Sequence, residues 1–225
     1  MKTLSIAVAL SLLLSGCGDK SPAPEQVKVP QVVSTSVSGV VDAASAYDVT
    51  VNGKTYVTQH AEVYYEGGDY NISSVKVGMN VNLLLQDNKV TEVDLDPAFS
   101  GLAVLNPDNQ LVMNGIKLSI SDPQVFNLDY KHGGGDLGWV LVFAHLNGNA
   151  QWVVTNVSPV NAMPSSEIEG KVSDLTASSF MLGTAKIAYA PLTVTAGKPL
   201  TNGMYVQVIG NFINDQLTAK RIDIK

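Results

Sequence analysis

Glu169-Gly170-Lys171-Val172, then Gly183, then Leu200-Thr201-Asn202-Gly203-Met204-Tyr205-Val206, then Leu217-Thr218-Ala219-Lys220-Arg221-Ile222-Asp223-Ile224 follow one another within residues 167–225. Apolar and polar residues alternate in these segments, the period-two pattern of strands that turn one face to a core. Glycines and the pair Asn214-Asp215 punctuate them where the chain has to turn. Two earlier stretches repeat the order. Ser100-Gly101-Leu102 lies 62 positions after Ser38-Gly39-Val40, and Gly115 and Gly53 each lie 14 positions after Gly101 and Gly39. In the last stretch Gly183 follows Gly170 by 13. Asn52-Gly53 and Asn114-Gly115 sit between β-formers, a strong hairpin signal because both turn residues must reach positive φ. Fourth strands are expected at Met79–Leu85, Gly138–Phe143 and after Gly203, and fifth strands at Val90–Leu95, Gln151–Val157 and Leu217–Ile224. Asp87-Asn88, Asn147-Gly148 and Asn214-Asp215 provide the turns between them.

The expected class is all-β, with three tandem five-stranded units of the OB-like Greek-key barrel type. The alternative is three β-meanders stacked into one elongated sheet layer. The units fall at 36–98, 99–160 and 161–225, joined at Asp96-Pro97 and across Asn161 to Ser166. No amphipathic helix is expected; Ser73 to Val77 reads as a single turn. A domain of about 60 residues buries only about 60% of its unfolded surface, so each unit gains by packing on its neighbours.

The last unit, with Gly170-Lys171-Val172, Gly203-Met204-Tyr205-Val206-Gln207-Val208, Gly210 and Ala219-Lys220-Arg221-Ile222, resembles a bacterial envelope family known as domain of unknown function 5666. The resemblance covers about 58 residues well and the first two units loosely, since those lack the Ala-Lys-Arg-Ile ending. It implies an OB-like barrel, often in tandem copies on lipoproteins, and carries no assigned activity.

The amino end gives an address. Lys2, an eleven-residue mainly apolar run from Leu4 to Leu14 and the small residues Ser15 and Gly16 have the anatomy of a secretory signal over 1–16. The run is too short for a bilayer, which needs about 20 residues. Leu14-Ser15-Gly16-Cys17 resembles a bacterial lipobox, which implies cleavage before Cys17, a diacylglyceryl group on its thiol and acylation of the new amino end. Two or more chains anchor a protein stably, because each buried methylene contributes about 0.8 kcal/mol. Cys17 is the sole cysteine, and lipidation removes a thiol that would be a liability in an oxidising compartment. Gly18 stands where an aspartate resembles an inner-membrane retention signal, which favours the outer membrane, facing the periplasm. Residues 17–35 follow as a tether whose Pro22, Pro24 and Pro30 favour extended backbone.

Chemistry is sparse. The histidines are His60, His132 and His145, too few and too scattered for a zinc set or a general-base constellation. His132-Gly133-Gly134-Gly135 resembles an esterase oxyanion segment, yet no Gly-x-Ser-x-Gly elbow accompanies it. Gly133-x-Gly135-x-x-Gly138 leads into a strand rather than the helix that a dinucleotide site requires. Net charge is -6, and the acidity sits in the first unit, with 9 acidic against 3 basic residues over 36–98. With one arginine, Arg221, nucleic acid is an improbable partner. Asp94 and Asp96 share a strand face and, with Asp87, are weak calcium candidates. The most suggestive segment is the long loop of the first unit, Glu62 to Asn71, where Tyr64, Tyr65, Asp69 and Tyr70 flank Gly67-Gly68; Tyr130 extends it from the second unit. The same tyrosines could instead cap an open core. The expectation is a non-enzymatic envelope lipoprotein without cofactor, anchored to a membrane by lipid, that binds an envelope protein, glycan or cationic molecule or serves a structural role. The alternatives are an envelope-polymer hydrolase using acidic residues and a calcium-dependent module.

Overall fold

Asn52 and Gly53 (φ 54° and 72°), Asn114 and Gly115 (50° and 78°), Asp87 and Asn88 (49° and 64°), and Asn214 and Asp215 (51° and 60°) are all left-handed pairs. Their twist matches that of the flanking strands, so each closes a two-residue hairpin. Asn147-Gly148 does not. There the side chain of Asn147 accepts from Asn149 N and Gln151 N at 2.9 and 3.0 Å, and Ala150 takes the positive φ, 57°. A short polar side chain that mimics a backbone acceptor lengthens the turn.

A computed structural model describes residues 34–126, 134–190 and 198–225; the signal, Cys17, nearly all of the tether, Tyr130 and His132 lie outside the described residues. The first seven strands are β1 (Ser34–Ala44), β2 (Asp48–Val51), β3 (Lys54–Val57), β4 (Glu62–Tyr65), β5 (Gly68–Tyr70), β6 (Asn80–Gln86) and β7 (Lys89–Leu95). Five follow as β8 (Phe99–Leu105), β9 (Gln110–Met113), β10 (Ile116–Ser119), β11 (Gly135–Leu146) and β12 (Trp152–Pro159). The last five are β13 (Ser166–Ser173), β14 (Ser179–Leu182), β15 (Ala185–Ala188), β16 (Tyr205–Ile213) and β17 (Gln216–Ile224). Single 3-10 turns at Ile72–Ser74 and Pro123–Val125 are the helical elements among the described residues.

β13 to β17 form a closed five-stranded ring, in the order β13-β14-β15-β17-β16 and back to β13. All neighbours are antiparallel except β15 and β17, which run parallel with Ile187 opposite Leu217. β13 to β17 therefore make a barrel rather than a layer of stacked meanders. The antiparallel part of that order recurs as β3-β2-β1-β6-β7 and as β10-β9-β8-β11-β12, with different closures. In the first set the parallel place beside β7 is taken by β4, leaving β3 and β5 at the ends of a seven-stranded sheet. In the second, a single parallel bridge from Phe126 to Val157 lies there. The recurrence reaches single bonds. Gly78 N donates to Val41 O and Val41 N to Met79 O, at 2.9 and 2.8 Å, as Gly203 N donates to Val172 O and Val172 N to Met204 O, at 2.7 and 2.8 Å.

Strand alternation builds two cores. Val81, Leu83, Leu85, Val93 and Leu95 join Val41, Val49 and Val51 in one; Phe99, Leu111, Ile168, Phe180, Val206, Val208, Leu217 and Ile222 lie in the other. β11 serves both. Val140, Val142 and Ala144 face the second core, Leu141 and Phe143 the first, and all five are buried. β8 and β13 then pair through Glu167 with Ser100 and Ile168 with Phe99, placing β8 to β17 in one ten-stranded sheet.

Candidate functional site around the Tyr64 to Tyr70 hairpin

The segment read as a long loop is mostly a hairpin. Glu66 and Gly67 both have positive φ (47° and 75°), so a two-residue turn folds β5 back on β4 with Val63 opposite Tyr70 and Tyr64 opposite Asp69. Successive strand residues point to opposite faces, which separates the two adjacent tyrosines. Tyr64 faces outward and donates its hydroxyl to Glu62. That bond is the main reason its phenol is pushed up to about 12, with Asp69 and Glu92 adding their charge. Tyr65 faces inward, 2% exposed, as part of the first core.

On the outward side Gln59, Glu62, Tyr64, Asp69, Tyr70 and Asn71 line an open, mainly polar cleft of about 400 Å³. Two phenols, two carboxylates and two carboxamides line it without a basic side chain among them. The Tyr70 phenol is raised by burial. Of the sequence candidates, Tyr64, Asp69 and Tyr70 share this cleft, and Tyr65 belongs to the core instead. Ring and carboxylate chemistry in an open cleft suits stacking and hydrogen bonding to a hydroxyl-rich or amine-bearing ligand.

Behind the hairpin is a polar cluster that sequence reading missed. The Tyr65 hydroxyl donates to Glu167 Oε2 and the Gln207 carboxamide to Glu167 Oε1. Glu167 is fully buried, and Asn114 Nδ2 donates to its backbone oxygen at 2.7 Å and to Ser100 O at 2.8 Å. Burial pushes the Glu167 carboxyl up to about 8, although its two donors favour the ionised form. Alongside, Lys225 Nζ lies 2.8 Å from Asp96 Oδ1 and 3.0 Å from Glu169 Oε1, and the Tyr205 hydroxyl donates to Glu169 at 3.1 Å. Burial raises the Glu169 carboxyl and the Tyr205 phenol. The arginine, Arg221, spans Glu66 at 2.6 Å and Asp223 at 2.7 Å, so it is committed to ion pairs.

The calcium candidates do not come together. Asp87 is exposed in the turn before β7 and Asp96 follows the other end of that strand, about 20 Å or more away at ~3.3 Å per residue. Asp94 lies beside β4, pushed up to about 6 by burial and then by Asp96 and Glu92, while Asp96 is paired with Lys225. Among the described residues no three of His, Cys, Asp and Glu are grouped as metal ligands. His60 and His145 are exposed and far apart in the order of strands. Gly134 and Gly135 lead into β11, the strand expected after the glycine run.

Residues 169–223, which span most of the closed barrel, match the model of a domain of unknown function, DUF5666. No curated protein matches the chain.

Proposed function

We propose that the protein is a non-enzymatic, lipid-anchored module of the bacterial cell envelope, in which three copies of one OB-like unit are held off the membrane by the tether after Cys17 and present the β4–β5 hairpin to a hydroxyl-rich or amine-bearing envelope glycan. The observation that carries the binding part is the cleft itself: Tyr64 and Tyr70 with Glu62 and Asp69 on a hairpin whose inner residue, Tyr65, is fixed in the core. A rigid base with aromatic and acidic side chains turned to solvent lowers the entropic cost of binding. The anchor part is supported by the run Leu4 to Leu14 followed by Leu14-Ser15-Gly16-Cys17, and by the prolines of the tether. The repeat part is supported by the shared strand order and by the matching bonds of Gly78-Met79 and Gly203-Met204.

Replacing Cys17 by Ser is expected to move the protein from the membrane to the soluble periplasmic fraction; a variant that still sediments with membranes and is released by detergent would contradict the anchor. The soluble Cys17→Ser chain is expected to co-sediment with purified cell-wall sacculi, and Tyr64→Ala with Asp69→Asn is expected to lower retention about tenfold, about 1.4 kcal/mol. Equal retention of this double variant would contradict the site.

A further inference from the structure

Besides the packing of Val63, Tyr65 and Tyr70 on the first core, the β4–β5 hairpin is attached to the rest of the molecule by three kinds of contact. Glu62, Val63 and Tyr64 pair in parallel with Glu92, Val93 and Asp94 of β7. Glu66, in the turn, receives Arg221. Between them Tyr65 reaches across to Glu167 on β13, which Gln207 of β16 also holds. The third contact is a polar one sealed from water: Glu167 is 0% exposed and Tyr65 2% exposed.

Among the described residues Glu167 has polar partners but no cation. Arg221 is occupied by Glu66 and Asp223, and Lys225 by Asp96 and Glu169. The groups that face its carboxyl are Tyr65 and Glu66 from the hairpin side, Ser100 as its cross-strand neighbour on β8, Glu169 on its own strand, and Gln207 and Tyr205 on β16. The charged members of this set, Glu66 and Glu169, are both acids and oppose ionisation, as burial does. A buried carboxylate in this place can recover solvation only if water enters, and the hairpin turn at Glu66-Gly67, next in the chain to Tyr65, is exposed.

We propose that Glu167 is a protonation-controlled latch: with its carboxyl neutral it holds Tyr65 and seats the hairpin against the barrel, and on losing its proton it releases the hairpin tip and so reshapes the cleft of Tyr64, Asp69 and Tyr70. The functional consequence rests on the reading of that cleft as the binding site; the latch itself does not. Glu167→Gln is a neutral isostere whose carboxamide oxygen still accepts from Tyr65, while the Gln207 carboxamide can reverse to accept from the new amide. It keeps the latch shut at every pH. Tyr65→Phe removes the donor and leaves the latch without its hold.

The test is amide hydrogen exchange on the detergent-solubilised full chain without ligand, corrected for the intrinsic pH dependence of exchange, from about pH 6 to about pH 10. In the wild type, protection of the Gly68 and Tyr70 amides, which lie opposite Tyr65 and Val63 in the β4–β5 ladder, is expected to fall about tenfold or more relative to β16 and β17 as Glu167 titrates. Glu167→Gln should hold its low-pH protection throughout, and Tyr65→Phe should show reduced protection already at about pH 6. A flat wild-type profile, the same fall in Glu167→Gln, or a Tyr65→Phe tip as protected as the wild type at about pH 6 would each overturn the latch. Since sacculus binding is scored separately at fixed pH, loss of the binding reading leaves this profile intact, and loss of the latch leaves the retention difference of the Tyr64 and Asp69 variant intact.

Discussion

Asn52 and Asn114 hold the same place in two copies of the hairpin, each crowding a glycine of the strand before that hairpin, on β1 and β8, and the same side chain has very different worth in the two. A Cβ on Gly39 would lie 2.6 Å from Asn52 Oδ1, and one on Gly101 2.7 Å from Asn114 Oδ1, so both glycines are needed for the close approach. Asn52 is exposed and donates to Ser38 O at 2.9 Å. Asn114 is 2% exposed and donates to both Ser100 O and Glu167 O. Alanine carries the same left-handed strain at either site, which cancels in the comparison. Stranding buried acceptors costs about 1–3 kcal/mol, so Asn114→Ala is expected to destabilise by about 1–3 kcal/mol more than Asn52→Ala in urea melts. Equal losses would mean that Asn114 does not serve both carbonyls. Glu167 gives a second test at this scale. Its folded pKa is raised from 4.5 to about 8. Below about pH 4.5 both folded and unfolded chains hold the proton and the contribution is fully present; between there and about pH 8 only the folded chain holds it, so stability falls as pH rises. One site gives a slope of up to ~1.4 kcal/mol per pH unit. Asp94, raised to about 6, and Glu169, also raised, act in the same direction, so Glu167→Gln should chiefly flatten the urea midpoint above about pH 6.

At the scale of the element, β11 decides how the cores are divided. Five consecutive buried residues, Val140 to Ala144, give it two apolar faces, the pattern of a strand covered on both sides. Phe143 packs with the first core and Val142 with the second. Phe143→Ala is expected to cost about 3–5 kcal/mol by leaving a cavity that a strand held on both faces cannot collapse. The guanidinium midpoint measures it, and a loss under about 1 kcal/mol would mean that the first core does not lean on this strand. Contact between the sets also runs from side chain to backbone: Thr155 Oγ1 donates to Gly78 O at 2.5 Å and Asn156 Nδ2 to Val77 O at 2.9 Å. The hairpin β4–β5 shows how an insertion is absorbed. It takes the parallel place beside β7 that β15 holds beside β17, so the extra strands extend the sheet rather than dangle from it.

For the whole molecule, shared strands predict shared fate. Phe99 and Ile168 belong to one core although one lies in the second set and the other in the barrel, and Lys225, the last residue, is paired to Asp96 between β7 and β8. The described residues form one compact unit by their contacts. Calorimetry is therefore expected to give a single transition with calorimetric and van't Hoff enthalpies in a ratio of about one. Two resolved peaks, or a barrel fragment 161–225 as stable as the full chain, would show the sets to be independent.

The strands and most of their turns follow from the order of residues alone, because alternation of apolar residues and left-handed Asn-Gly, Asp-Asn and Asn-Asp pairs are local properties of the chain. The 62-residue spacing likewise exposed the repeat of Ser-Gly and Asn-Gly. The hairpin at Glu66-Gly67 was legible in principle, since tyrosines flank a two-residue turn, although glutamate is an unusual residue at positive φ. The tertiary structure alone decided the rest. Ser166-Glu167-Ile168-Glu169 reads as acids facing out and an isoleucine facing in, and alternation says only that a strand has two faces, not what covers the second. Here the hairpin covers it, burying Glu167 while the barrel core buries Ile168 on the other face, and a carboxyl that would titrate freely in water becomes a buried group held by Tyr65 from 102 positions away.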